Sequence, residues 1–424
     1  MYWERRVMSC CCNNYGKTIQ YVSPAHGGWG MVRIGALVPE SHQLFVAPSA
    51  CGRHGALGGE VNGIKDRISY LYIDESDIVS GNYEHLIPGA VEELFETLEK
   101  RPKVLLIFVT CLDDLLGTDH EALNQRLSAQ FPDVEFRSCH MNPISHDTKF
   151  PPGITLQNTL YSLLPKAEEK EKTINMIGNN VAVNEACELF QLLKEHGYSV
   201  NHMSNFDTFE GFQTMSKSKV NLVLSPVAKY ASSTMKANLE IEPLYAYHTY
   251  DMAEIESFYK ELTTLLNVPM DYSQYKEEAN AMVLKALSII GQHPIAIDYQ
   301  AVRKPFTLAK ALLEYGFNVK FVMTDDVKSI EKDAYEYITQ NCKDIQVINA
   351  VHHDMVKREN DNLDYLCIGF DCAYATDAKR VVDLKEDESL FGFYGIKELM
   401  SMMVKAYTNP VNLHDIIEEA GLIV

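Results

Sequence analysis

The 424-residue sequence contains no apolar run approaching the roughly 18 residues that a membrane-spanning helix requires. It is also short of basic charge: 38 Lys and Arg stand against 58 Asp and Glu, a formal net charge of −20 at pH 7. Nucleic acids and anionic membranes both need a basic face, so neither is expected as a partner. Behind the two arginines of MYWERRVMSCCCNNYGK there is no apolar stretch, so a signal peptide is not expected. A cytoplasmic location follows as the expectation, and with it reduced cysteines rather than disulfides. A nucleotide site is not expected either. NNYGKT (13–18) ends like a phosphate-binding loop, but Cys11 stands where the first glycine is needed and no buried strand precedes it.

The composition itself, 46% hydrophobic and 23% charged, is that of a soluble globular protein. The length exceeds one ordinary core and implies two or three domains. Strands and helices alternate in three successive runs. The first holds strands over 42–48, 68–73, 104–110 and 134–139, with a helix over 87–101. VLLIFVT (104–110) is apolar throughout, the mark of a strand buried on both faces. A charged stretch, PKAEEKEK (165–172), reads as a linker. The alternation then restarts with TINMIG (173–178) and again with PIAIDY (294–299). Gly197 and Gly316 each end a helix just before a strand, where a left-handed residue is wanted. Alternating strands and helices imply parallel sheets with right-handed crossovers. The expected fold is therefore α/β, with three Rossmann-like domains over 21–165, 172–275 and 285–424 behind an N-terminal extension over 1–20. Ligands should gather beyond the carboxyl ends of strands.

Two cysteines occupy such positions. Cys51 follows the first strand in VAPSACGRHGALGG, and Cys111 follows VLLIFVT. Soft thiolates at strand ends suit iron–sulfur centres, although core packing produces the same spacing. The glycines at 52, 55, 58 and 59 would let backbone approach such a centre. Arg53 and His54, directly after Cys51, could hydrogen-bond its sulfur or line a substrate. In SCHMNPISHD, His140 is the candidate proton donor, because imidazole titrates near neutral pH; Cys139, His146 and Asp147 lie beside it in a polar loop. His352, His353 and Asp354 read as a solvated face. Cys187, Cys342, Cys367 and Cys372 sit among apolar neighbours and read as core.

LFVAPSAC, the stretch DESDIVSGNYEHLIPGAVEELFE, and VTCLDDLLGTDHEAL with Gly117 and Asp119 in register resemble the first domain of the nitrogenase component 1 family. That family includes dark-operative protochlorophyllide reductase, chlorophyllide reductase and methanogen relatives. NMIG, NLVLS and GFYGIKELM match its later domains more loosely, so the resemblance is specific mainly in the first third. It implies an iron–sulfur cluster, 4Fe–4S in type and shared with another subunit, held here by Cys51 and Cys111. It also implies a homodimer or an α₂β₂ assembly with a paralogous chain, and electrons delivered by a homodimeric, ATP-hydrolysing iron protein.

Departures from the family pattern set further expectations. The family's first cysteine falls at or beside His26, so His26 or one of Cys10, Cys11 and Cys12 would complete the ligand set. Where the family's cofactor-binding cysteine is expected, the second-domain strand ends at Ser225, and DLKEDESLFGFYG has no histidine. A molybdenum cofactor is therefore not expected. The implied function is a reductase subunit that passes electrons to a substrate; the alternative is a scaffold that holds a cluster or tetrapyrrole without turnover.

Overall fold

The computed structural model describes residues 20–23, 30–142, 150–357 and 363–421. His26, Cys10, Cys11, Cys12, NNYGKT, His146 and Asp147 lie outside them. Two compact units are present. The larger comprises Gly28–Glu277 with Glu388–Gly395, and the smaller is built on Glu278–Asp387 and Ile396–Val424.

The larger unit holds two four-stranded sheets. In the first, α1 (Gly30–Ala36) leads to β1 (Ser41–Ala47), α2 (Ser49–Val61) and β2 (Ile68–Tyr72). Then come α3 (Glu75–Val79), α4 (Tyr83–Thr97), β3 (Val104–Thr110), α5 (Cys111–Leu116), α6 (His120–Gln130), β4 (Glu135–Met141) and α7 (Pro152–Tyr161). The strand order is β2–β1–β3–β4, with every pairing parallel. The two central strands are buried along their whole length, as the unbroken apolar run of β3 requires. Each buried Leu, Ile or Val side chain there contributes roughly 1.5–3 kcal/mol.

The second sheet, β5 (Thr173–Ile177), β6 (Ser199–Asn201), β7 (Val220–Val223) and β8 (Glu242–Tyr245), is ordered β6–β5–β7–β8 and is also parallel. One apolar core serves both sheets. Leu156, Leu160 and Tyr161 of α7 join Phe45 and Phe108 on one side to Val223 and Ala228 on the other. The stretch expected to be a linker carries neither helix nor strand, but Lys170 donates to the carbonyls of Ser216 and Leu239 at 2.8 and 2.7 Å.

The smaller unit carries a five-stranded parallel sheet. Its strands are β9 (Pro294–Asp298), β10 (Asn318–Thr324), β11 (Gln346–Asn349), β12 (Leu366–Ile368) and β13 (Arg380–Val382), in the order β11–β10–β9–β12–β13. Tyr21 donates to the Val351 carbonyl of this unit at 2.9 Å. Cys367 and Cys372 are buried in its core, as expected; Cys342, after the helix Lys332–Asn341, is only partly covered. Asp298, at the carboxyl end of β9, accepts from the backbone N–H groups of Asp371 and Cys372 at 2.5 and 3.2 Å. Gly369 makes this possible: its φ of +105° brings the chain over Asp298 so closely that a Cβ would stand 2.7 Å from the Cβ atoms of Asp298 and Ala301.

Most strands fall within a residue or two of their expected bounds, and Gly197 and Gly316 are left-handed, at φ +74° and +94°. Two segments differ. The expected helix over 87–101 begins a turn earlier and ends at Thr97, with Pro88 inside it. The glycine-rich stretch after Cys51, read as a turn approaching a bound group, is instead the helix α2. Its glycines serve packing: a Cβ on Gly52 would come within 2.8 Å of the Tyr72 ring, and one on Gly59 within 2.8 Å of Ile68. Gly55 likewise faces Tyr70. They allow a helix to lie flat on the edge strand β2.

Candidate functional site

The carboxyl ends of β1 and β3 carry both sequence-singled cysteines. Val46 is opposite Val109 in the parallel register, and adjacent strands lie about 4.8 Å apart. Cys111, two residues past Val109, is the first residue of α5, and Cys51, five past Val46, is in the first turn of α2. The structure thus brings them to one edge of one sheet on neighbouring elements. Cys51 is exposed and Cys111 partly exposed, whereas Cys139 and Cys187 of the same unit are buried. Burial pushes the Cys139 thiol up to about 12, so it stays protonated. Arg53, on the exposed side of α2, is solvated, and His54 lies next to it in the same helix.

The same edge holds a constellation that the motifs did not announce. Asp113 in α5 is buried, with 1% of its side chain exposed, and its Oδ2 is in direct contact with Nε2 of His120, the first residue of α6. The turn between them is set by Asp119, whose carboxylate accepts from the Ala122 N–H at 3.0 Å and starts α6. His140 arrives from β4, where the register places it opposite Val109. Its ring meets that of His120 edge-on, with centroids 4.8 Å apart. Nδ1 of His140 lies 2.7 Å from Oδ1 of Asp114, and Asn142 donates to Oδ2 of Asp114 at 2.6 Å.

One ligand atom from each of Asp113, His120 and His140 lies within 4.8 Å of the others. Several polar atoms here are buried without a partner: Oδ1 of Asp113, Nδ1 of His120, and the hydroxyls of Tyr83 and Thr118. Burial works to raise the Asp113 carboxyl, but His120, with the nearby Tyr83 and Thr118 hydroxyls, outweighs it and holds the carboxyl below its ordinary value. Burial and the adjacent carboxylate drive the Tyr83 phenol far upward, so it remains protonated. A groove of about 620 Å³ opens on His120 and His140, flanked by Asn124, Arg137 and Asn158.

Sequence reading singled out His140 but grouped it with Cys139, which points to the opposite face of β4 by strand alternation and is buried. Asp113 and His120 were missed. Their seven-residue separation is interrupted by the left-handed Gly117, so no single helix carries both, and the contact of His140 with Asp114 depends on the β3–β4 register.

The family model for nitrogenase component 1 type oxidoreductases matches residues 29–408. The chain belongs to this family. Among solved structures, one of nitrogenase Cp1 at pH 6.5 shares the fold with a TM-score of 0.73, over 92% of this chain and 94% of that one, at 15% identity. A second, nitrogenase Cp1 at pH 5, gives a TM-score of 0.58 over 89% and 88% of the two chains at 16% identity. Identities this low establish likeness of fold. No curated protein sequence matches the chain. Within the nitrogenase component 1 family the expected α/β architecture of parallel sheets holds, and among the described residues no helix is long and apolar enough to cross a membrane.

Proposed function

We propose that this chain is a subunit of a nitrogenase-like reductase in which Cys51 and Cys111 bind an iron–sulfur cluster shared with a second chain. The observation that carries this reading is the pair of accessible thiols at the carboxyl ends of the adjacent central strands β1 and β3. The donor chemistry fits: soft sulfur ligands, uncovered enough to be completed from outside. His26 or one of Cys10, Cys11 and Cys12 completes the set from this chain. A bound cluster supplies one-electron transfer at low potential. Arg53 and His54 follow Cys51 in the chain, and their residue types suit donors to cluster sulfur that would tune that transfer.

The elements starting at the same edge carry apolar side chains into solvent: Val79 on α3 and Leu115 on α5, each 80% exposed, together with Leu116 and Tyr72. Such a grouping beside the thiols fits a subunit interface. It supports a homodimer or an assembly with a paralogous chain, served by an ATP-hydrolysing iron protein. At the end of β7, Ser225 is buried and its hydroxyl caps the turn Pro226–Ala228. A structural serine there supports a member without a molybdenum cofactor, and it is also what favours the second reading, a scaffold that holds a cluster without turnover.

The test is iron and acid-labile sulfide analysis of anaerobically purified protein, with and without co-expressed partner chain. It is followed by substrate reduction with an iron protein and ATP. Iron and sulfide lost together in Cys51→Ser and Cys111→Ser are expected. Iron-free wild type in both preparations overturns the reading. Cluster without ATP-dependent reduction selects the scaffold.

A further inference from the structure

We propose that Asp113, His120 and His140 form a binding site for one divalent first-row transition ion, with Asp114 as the outer carboxylate that orients His140. The site uses no cysteine and stands independently of the iron–sulfur reading.

The donor set is two imidazoles and one carboxylate, which suits zinc or ferrous ion and is poorly matched to calcium or magnesium. The three ligand atoms lie within 4.8 Å of one another. On a tetrahedral ion with bonds of about 2.1 Å they would stand roughly 3.4 Å apart, so side-chain adjustments of about an ångström close the site.

Three further observations point to a ligand rather than to a packed polar cluster. Asp113 is almost fully buried, and although the Tyr83 and Thr118 hydroxyls lie close enough to lower its carboxyl, neither is aligned to hydrogen-bond Oδ1. Nδ1 of His120 is also buried and unpaired, although a buried imidazole ordinarily satisfies both nitrogens. At His140, Asp114 occupies the Nδ1 side of the ring at 2.7 Å, which leaves Nε2 as the nitrogen open to a metal. A carboxylate holding the far nitrogen of a ligating histidine is the usual outer arrangement of metal sites. Asn142 in turn fixes Asp114.

Access is present as well. His120 and His140 line the open groove, and His140 is 42% exposed, so an ion can enter and an exogenous fourth ligand can reach it. Two carboxylates, Asp113 and Asp114, offset the ion's charge. In this proposal His140 is a ligand, not a proton donor, because a ring bound to metal at Nε2 and to Asp114 at Nδ1 has no proton to give at the groove.

The experiment uses the full chain, purified and stripped with a chelator, then titrated with Zn²⁺ by calorimetry and with Co²⁺ by absorption. In the Cys51→Ser/Cys111→Ser chain, which lacks the thiols that would themselves take up these ions, one equivalent is expected, with a cobalt spectrum of nitrogen and oxygen ligands and no sulfur-to-metal charge transfer. His140→Gln changes a half-exposed side chain and leaves the fold intact by circular dichroism. It should weaken Zn²⁺ binding at least tenfold, as should His120→Asn. Adding His352→Ala/His353→Ala to the Cys51→Ser/Cys111→Ser chain should leave its binding unchanged. Equal binding by that double-serine chain with and without His120→Asn or His140→Gln, or no uptake by it at all, would overturn the site. Loss of iron in the cysteine variants with zinc binding retained leaves this site standing whatever becomes of the cluster.

Discussion

Nδ1 of His140 lies 2.7 Å from Oδ1 of Asp114, joining the edge strand β4 to the helix that follows β3. This contact holds one ring nitrogen and so fixes the orientation of the imidazole. Asp114→Ala, at a position 31% exposed, removes the constraint without emptying the core. Zn²⁺ affinity is expected to fall roughly 10–100-fold, the usual effect of losing such an outer partner. Calorimetry checks this, and unchanged affinity would show that Asp114 orients nothing.

Cysteines at the carboxyl ends of β1 and β3 should part company under mutation from those elsewhere. Cys51→Ser and Cys111→Ser are expected to lower the iron content of anaerobically isolated protein to background, with little change in melting temperature. Cys342→Ser, in the smaller unit, should leave iron unchanged. Elemental analysis alongside thermal melts separates ligand loss from unfolding.

Two glycine-to-alanine substitutions should have opposite signs. Gly89 lies on the exposed side of α4, and a Cβ there would meet nothing within 4 Å. Gly89→Ala is expected to stabilise by roughly 0.5–1 kcal/mol, because glycine loses more backbone freedom in a helix. Gly369→Ala combines a left-handed φ with contacts of 2.7 Å to two Cβ atoms. It should cost about 3 kcal/mol from overpacking and backbone strain together. Denaturant unfolding measures both.

Glu331 makes the smaller unit sensitive to pH. Its Oε1 accepts from the N–H groups of Phe306 and Thr307 at 2.9 and 3.0 Å, at the start of the helix Pro305–Glu314. Burial nevertheless raises its pKa from 4.5 to about 7. Between those values the folded chain holds a proton that the unfolded chain has released, so this group's contribution to stability declines as pH rises from 4.5 to 7. Glu331→Gln keeps the accepting oxygen and removes the charge. The variant should match wild type near pH 4 and exceed it by roughly 2–3 kcal/mol at pH 8. Melts across that range decide; a constant offset at every pH would mean that Glu331 does not titrate there.

The fold was readable in the sequence because its determinants are local and repeated. Apolar runs such as 104–110 and 318–324 have the length of strands buried on both faces, and glycines at 197 and 316 mark helix ends. The stretch after Cys51 misled because glycine is usually a signal of turns. Here Gly52 and Gly59 are small so that α2 can rest on Tyr72 and Ile68, a requirement imposed by a strand about ten to twenty residues further along. Cys51 and Cys111 were legible as strand-end residues. Asp113 with His120 was not, since the pair forms only when α5 stops at Gly117 and α6 starts from Asp119. His140 joins them only through the pairing of β4 with β3.

Because Cys51 is uncovered in the first turn of α2 while Cys139, Cys187, Cys367 and Cys372 are sealed in cores, the folded chain discriminates among its own sulfurs. Among the described cysteines, a maleimide or atmospheric oxygen reaches Cys51 first and the partly covered Cys111 and Cys342 after it. Aerobic handling would therefore scar these positions before the buried ones, and peptide mass mapping of a briefly alkylated sample would report how well each is shielded.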